Sequence, residues 1–276
     1  REILVLRELK KIPVLVLSSS SRRQLYPREE MAGESSLKLF FLDPEDYLFA
    51  KGYLVNIGYE TDTLYPGVGE KMRIPGRFSV EIYDTFPFKT QVYQKGMGKL
   101  LQRTFLKENE NYIYEWKIID QLVYLMVQSS YLYVTGHLQI RHLADLYVFY
   151  RKTAAENQLQ DLEDRLKEFK VNILAQKLLH LSYMWFGTRE ECASMETKEE
   201  ELQVFDILEK NVFYGMTGKF GPETDEQALD LRSDILKEEE WENRMEKRAL
   251  FYRRLREFFS LVRRQLKELY DIWFSR

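Results

Sequence analysis

The strongest constraint on the fold is a set of three short apolar segments near the start of the chain, separated by helix and turn signals. They lie at residues 14–17, 37–42 and 78–83. Short apolar or alternating runs between turn-forming residues are typical of strands, and residues 2–11 ahead of the first run have helical spacing. The pattern predicts a small sheet whose strands alternate with helices.

Two helices are predicted between these strands. Residues 22–26 fit a short helix that ends at Pro27. The sequence Asp43-Pro44-Glu45-Asp46 then supplies an N-cap, a proline at the first helical position and acids in the first turn, which predicts a helix over 44–57. Glycines and prolines over 59–76 predict a loop. The expected order of elements is therefore αβαβαβ.

The pattern changes near residue 105, where helical spacing of apolar residues replaces strand signals. Helices are predicted over 112–134, 137–152, 155–187 and 198–210, with a final amphipathic helix over 251–273. We therefore predict an α+β fold class, with a small mixed α/β domain over residues 1–105 and a mainly helical domain over 106–276.

Charge and composition exclude several broad classes of function. The formal net charge is −3, from 41 basic and 44 acidic side chains, which gives no signal for a DNA-binding protein. No apolar run reaches the roughly 18 residues that span a bilayer, and the start carries no signal-peptide pattern. The single cysteine, Cys192, has no partner for an internal disulfide. We expect a cytoplasmic protein that does not enter membranes.

Several pieces of this pattern stand in an order that is known from one group of enzymes. In the first half they are residues 14–17, Leu25-Tyr26-Pro27, residues 37–42, the acidic helix start at 43–46, Gly58-Tyr59 and Val80-Glu81-Ile82-Tyr83. In the helical half, residues 136–147 contain Ile140-Arg141 followed by Asp145-Leu146. In these features the chain resembles an uncharacterised family of polymerase-β-like nucleotidyltransferases. The resemblance implies a small mixed-sheet nucleotidyltransferase-like domain ahead of a helical domain.

The resemblance also implies a reaction and its catalytic positions. Such enzymes transfer a nucleoside monophosphate from an NTP to a hydroxyl or phosphate acceptor, using Mg²⁺ that is held by carboxylates. The family's Asp-x-Asp pair corresponds here to Ser36 and Lys38, and its third carboxylate corresponds to Glu81. Glu81 is therefore also the implied metal ligand.

A second group of positions is implied for nucleotide binding. The family's small-residue turn after the first strand corresponds to Ser18 and Ser19, where backbone amides would hold phosphates. Arg141 and Asp145 correspond to the helix start in the second half and are assigned to the same cleft. A nucleotide is the expected ligand, and RNA or a protein is an alternative acceptor or partner.

The chain departs from the family pattern at the functional positions. Ser36 and Lys38 stand where two aspartates are expected, and Tyr83 stands where the family has histidine. Serine is a poor ligand for a divalent cation without carboxylate companions, and Lys38 would place a positive charge at the metal position. We therefore expect impaired transfer, or a pseudoenzyme. The alternative is a non-catalytic regulatory module that binds a nucleotide, RNA or a protein, with Lys38 paired to Glu81 or holding a phosphate.

Simpler interpretations exist for several of these residues. The acids at 43–46 fit a helix cap better than a metal site, and Ser18 to Ser21 fit a solvated loop. Arg141 and Asp145 are spaced as a surface ion pair. Histidines 137 and 142 are five residues apart, which does not suit a paired metal site on a helix. The basic residues within 244–276 could contact RNA phosphates but fit a solvated helix face.

Overall fold

The computed structural model describes only part of the chain. The described residues are 12–18, 25–28, 36–65, 68–75, 79–88, 91–108, 110–156, 159–188, 191, 205–206, 208–210 and 212. The helices predicted over 2–11 and 251–273 lie outside them, as do most residues of those predicted over 22–26 and 198–210. All the described residues fall within a unit that spans Arg1–Leu231, and a second unit, Arg232–Arg276, lies outside them.

A single mixed sheet is formed by the strands of the described residues. The strands are β1 (Val14–Ser18), β2 (Leu37–Phe41), β3 (Glu60–Tyr65), β4 (Gly69–Arg73), β5 (Val80–Tyr83), β6 (Phe105–Leu106) and β7 (Ile113–Glu115), in the spatial order β3-β4-β5-β2-β1-β7-β6. The pairs β2–β5 and β1–β7 are parallel, and the other neighbours are antiparallel. The three predicted strands β1, β2 and β5 are adjacent at the centre.

In the described residues, two helices lie between strands along the chain and four follow the last strand. Those in the described residues are α1 (Pro44–Asn56), α2 (Gln91–Leu101), α3 (Ile118–Val134), α4 (Ile140–Ala155), α5 (Leu162–Lys167) and α6 (Asn172–Phe186). The structure thus confirms a mixed α/β protein with a mixed sheet. Because β6 begins at residue 105 and β7 at residue 113, and both belong to the same sheet, the sheet extends past the predicted domain boundary. The division at 105 stays a prediction.

The start of α1 confirms the predicted cap. Asp43 is extended and its Oδ1 accepts a hydrogen bond of 2.8 Å from the backbone N–H of Glu45, with Pro44 in the first turn. This arrangement satisfies an amide that has no partner inside the helix. The carboxylate of Asp43 is therefore used in capping.

The loop predicted over 59–76 is wrong, because this segment contains the antiparallel pair β3–β4. A bulge between Thr61 and Thr63 interrupts the pairing, and β3 is an exposed edge strand with polar side chains. A polar edge strand lacks the apolar alternation that identifies strands in a sequence. The single helix predicted over 155–187 is also wrong, since left-handed backbone at Asp161 and Lys170 separates α5 and α6 from their neighbours.

The two faces of the sheet pack against different elements. On one face, alternate residues of the central strands form a core with α1 that includes Leu39, Phe41, Ile82, Ala50 and Leu54, all fully buried. On the other face, aromatic rings join the sheet to the helical half: Phe40 stacks on Phe86 at 4.2 Å between ring centroids, and Phe86 contacts Trp116 and Tyr124. Lys38, one residue from Leu37 and Leu39, lies on this second face.

Candidate functional site

The parallel pairing of β2 with β5 places Lys38 directly beside Glu81. These two residues are register partners, and Nζ of Lys38 lies 3.3 Å from Oε2 of Glu81. Side chains that are opposite each other on neighbouring strands point to the same face, which makes the contact a consequence of the register. The Lys38–Glu81 pairing considered from the sequence is therefore present.

The carboxylate of Glu81 is buried and fully engaged. Ser36 Oγ donates to Oε1, and the hydroxyl of Tyr83 donates to Oε2. Only 6% of Glu81 is exposed. Burial by itself would raise the pKa of Glu81, but the charge of Lys38 and the hydrogen bonds from Ser36, Tyr83 and Lys38 outweigh it, and the pKa lies below its ordinary value. Glu81 is therefore held as an anion.

Two further residues extend this row across the sheet. Lys71 of β4 is the register partner of Glu81, and Ser18 at the end of β1 is the register partner of Lys38. The irregularity between Val16 and Ser18 in the β1–β2 pairing brings Ser18 opposite Lys38. Four adjacent strands thus place Lys71, Glu81, Lys38 and Ser18 in one line. Ser19 lies outside the described residues.

The residues at this site do not fit the divalent cation that the resemblance implies. Mg²⁺ and similar ions require several oxygen ligands, with carboxylates supplying the charge. Of the three positions that correspond to the family's acids, Glu81 alone carries a carboxylate, and it already accepts three contacts. Among the described residues, no group of three or more His, Cys, Asp or Glu side chains could hold a metal ion. The ammonium of Lys38 supplies the positive charge instead.

The two residues assigned from the helical half have different surroundings. Arg141 lies in the first turn of α4 and is exposed. Asp145, one turn later, accepts a hydrogen bond from the hydroxyl of Tyr26, which is 9% exposed. Tyr26 belongs to the connection between β1 and β2, so this contact attaches that connection to α4. The structure records no contact that joins Arg141 or Asp145 to Lys38 or Glu81 in the part of the chain that it describes.

Two histidines make contacts within the fold. His142 Nδ1 accepts a hydrogen bond of 3.0 Å from the backbone N–H of Gln139 at the start of α4, and the ring of His180 packs on Phe205 at 4.5 Å between centroids. Both contacts are structural.

A second buried carboxylate was missed in the sequence. Glu70 of β4 is fully buried and contacts Lys51 Nζ at 2.6 Å, Thr61 Oγ1 at 2.5 Å and the Tyr47 hydroxyl at 2.9 Å. Burial would raise the pKa of Glu70, but these partners hold it below its ordinary value. Its register partner is Ile82, so it lies on the α1 face, away from Lys38. Its neighbours are far apart in sequence, and no local pattern indicates the cluster.

Comparison with protein-family models, curated proteins and solved structures finds no match to this chain. No helix in the described ranges is both long enough and apolar enough to cross a membrane.

Proposed function

We propose that this chain is a non-catalytic nucleotide-binding module with a nucleotidyltransferase-like sheet, in which Lys38 takes the place of the catalytic metal. The observation that carries the proposal is the ion pair between Lys38 and Glu81 at 3.3 Å. It places a fixed cation beside the carboxylate to which the resemblance assigns the metal.

Transfer chemistry has little support at these positions. Two-metal transfer needs cations that bridge the attacking and leaving oxygens, and those cations need carboxylate ligands. The hydroxyl of Ser36 already donates a hydrogen bond to Glu81, and the charge of Lys38 repels a divalent cation. A protein with this arrangement keeps a charged site but lacks the ligands for nucleotidyl transfer.

Several features support anion binding. The Lys38 side chain is 28% exposed, and its ammonium carries three N–H donors, of which Glu81 requires one. Lys71, in register on the other side of Glu81, adds a second ammonium to the same face. Lys38, Lys71 and Glu81 together carry one net positive charge, which suits a phosphate group. Ser18 ends the strand next to Lys38, and three more serines follow it in the sequence.

The test is isothermal titration of ATP, GTP, CTP and UTP into the protein in the presence of EDTA. We expect metal-independent binding of at least one nucleotide. The variant Lys38→Met removes the ammonium while keeping most of the length of the side chain, and we expect it to weaken binding at least tenfold, or about 1.4 kcal/mol.

Two control variants separate this effect from a general loss of charge or fold. Lys152→Met makes the same chemical change in a surface pair with Glu156 on α4, and it should bind as the wild type does. Lys38→Arg keeps the charge and should retain most of the affinity. The proposal is wrong if no nucleotide binds in EDTA, or if Lys38→Met binds as tightly as the wild type.

A further inference from the structure

A single row of side chains crosses five strands on the face of the sheet that carries Lys38. Thr63 of β3 is the register partner of Lys71, which is in turn the register partner of Glu81. Glu81 pairs with Lys38, and Lys38 pairs with Ser18. Because register partners on neighbouring strands point to the same face, two lysines flank one carboxylate, and a hydroxyl residue lies at each end of the row.

The two lysines of this row differ in their relation to Glu81. Nζ of Lys38 lies 3.3 Å from Oε2 of the glutamate. Lys71 makes no ion pair with Glu81, nor with any other carboxylate in the part of the chain that the structure describes. The side chain of Lys71 is partly exposed. The ammonium of Lys71 is therefore available to a ligand, whereas that of Lys38 is shared between a ligand and Glu81.

The spacing of the two lysines decides which arrangement of phosphates they can bind. Neighbouring strands are about 4.8 Å apart, so β4 and β2, with β5 between them, set the backbones of Lys71 and Lys38 about 10 Å apart. The carboxylate of Glu81 lies between the two lysines and repels phosphate groups. A triphosphate chain that reached both lysines would lie over this carboxylate. Phosphates on the 3′ and 5′ oxygens of one ribose are separated by the uncharged sugar, which can occupy that place.

From this spacing we propose that the ligand is a nucleotide with phosphates on both the 3′ and the 5′ oxygens of its ribose, a ligand class that rests on the proposed nucleotide site. Lys38 binds one phosphate and Lys71 binds the other. The hydroxyls of Ser18 and Thr63, at the two ends of the row, are further donors for the same groups. Such a nucleotide exists free, and each internal residue of an RNA strand has the same two phosphates.

The test compares two ligands of equal formal charge by isothermal titration in EDTA. Adenosine 3′,5′-bisphosphate and ATP carry the same charge when fully ionised, but the phosphates of ATP are contiguous. We expect the wild type to bind the bisphosphate at least tenfold more tightly, because a second attachment point within one ligand raises its affinity. Tetraadenylate, titrated in parallel, distinguishes the two sources. Tighter binding of this strand than of the bisphosphate assigns RNA, and the reverse assigns the free nucleotide.

Three variants separate the second phosphate contact from a general loss of charge. Lys71→Met should lower the affinity for the bisphosphate more than the affinity for ATP, which brings the ratio of the two close to one. Lys71→Arg keeps the charge and should retain most of the ratio. Lys152→Met makes the same chemical change in the surface pair with Glu156 on α4, and it should leave the ratio unaltered.

The outcomes distinguish this ligand class from the nucleotide site itself. A wild type that binds ATP at least as tightly as the bisphosphate overturns the ligand class and leaves the nucleotide site in place. A ratio that Lys71→Met does not change also overturns the ligand class. If none of these ligands binds, and GTP, CTP and UTP do not bind either, the nucleotide site is overturned as well.

Discussion

Lys38 and Glu81 are register partners on neighbouring parallel strands, with Nζ of the lysine 3.3 Å from Oε2 of the glutamate. The resemblance in the sequence implies that these two positions are those of the second and third catalytic acids. The positive charge of Lys38 is always present at the site, whereas a metal ion must be taken up from solution. The stability of the sheet and the response to added metal both follow from this difference.

The Lys38–Glu81 pair should contribute measurably to stability. Lys38→Met leaves Glu81 buried beside an apolar side chain, and we expect it to lower the free energy of unfolding by about 1–3 kcal/mol, less than for a fully buried pair because the lysine is partly exposed. Urea unfolding at neutral pH measures this value.

The double variant Lys38→Met/Glu81→Gln is the control for this loss. Removing both charges should restore much of the lost stability, since no uncompensated anion remains. A loss in the double variant equal to the sum of the losses in Lys38→Met and Glu81→Gln would show that the two charges do not interact.

Acid should destabilise the protein through its buried glutamates. The pKa of Glu81 and of Glu70 is lower in the folded protein than the ordinary value of about 4.3. A depressed pKa contributes stability above the unfolded value and loses it as pH falls through the folded value. The free energy of unfolding should therefore decrease below about pH 5, and Glu81→Gln should reduce this dependence. Glu163→Gln, an exposed change on α5, should leave it unaltered; an unaltered profile for Glu81→Gln would contradict the account.

Two glycines of α2 should respond oppositely to alanine. A Cβ at Gly96 would lie 2.4 Å from the ring of Phe169, which is buried, whereas one at Gly98 would meet nothing within 4 Å. We expect Gly96→Ala to cost about 1–3 kcal/mol by overpacking. Gly98→Ala should stabilise by about 0.5–1 kcal/mol, because alanine is the better helix former. Thermal denaturation of the two variants measures both effects. A stabilised Gly96→Ala protein would show that α2 does not pack on Phe169 in this way.

Asp145 should act on the site through Tyr26. Its carboxylate accepts a hydrogen bond from the Tyr26 hydroxyl, so Tyr26→Phe and Asp145→Asn should each cost about 1–2 kcal/mol of stability and should not be additive. If Asp145 only positions the β1–β2 connection, both variants should change nucleotide affinity by the same factor. An affinity that neither variant changes would contradict this role.

The sequence was most informative where local signals decide the structure. The central strands β1, β2 and β5 and the cap of α1 were predicted because apolar runs and the Asp43-Pro44 start depend on nearby residues. The β3–β4 hairpin was missed because its pairing with the rest of the sheet, and not its own composition, makes it a strand. The break at Asp161 was missed because the surrounding apolar spacing continues through it.

The same difference between local signals and long-range contacts applies to the candidate site. The expectation that Ser36, Lys38 and Glu81 lie near one another came from the resemblance alone, and their contacts follow from the β2–β5 register. The Glu70 cluster depends on Lys51, Tyr47 and Thr61, which α1 and β3 bring in from outside the strand. A charged residue inside a strand carries no signal that it will be buried and neutralised.

The most direct test of the central claim, that Lys38 replaces the metal, compares nucleotide affinity in EDTA with that in excess Mg²⁺. Titrations on the wild type and on the Ser36→Asp/Lys38→Asp variant supply both comparisons. We expect the wild type to bind more tightly in EDTA, because Mg²⁺ neutralises the phosphates that Lys38 attracts, and we expect the variant to bind only with Mg²⁺. A wild type that requires Mg²⁺ for binding would contradict the account.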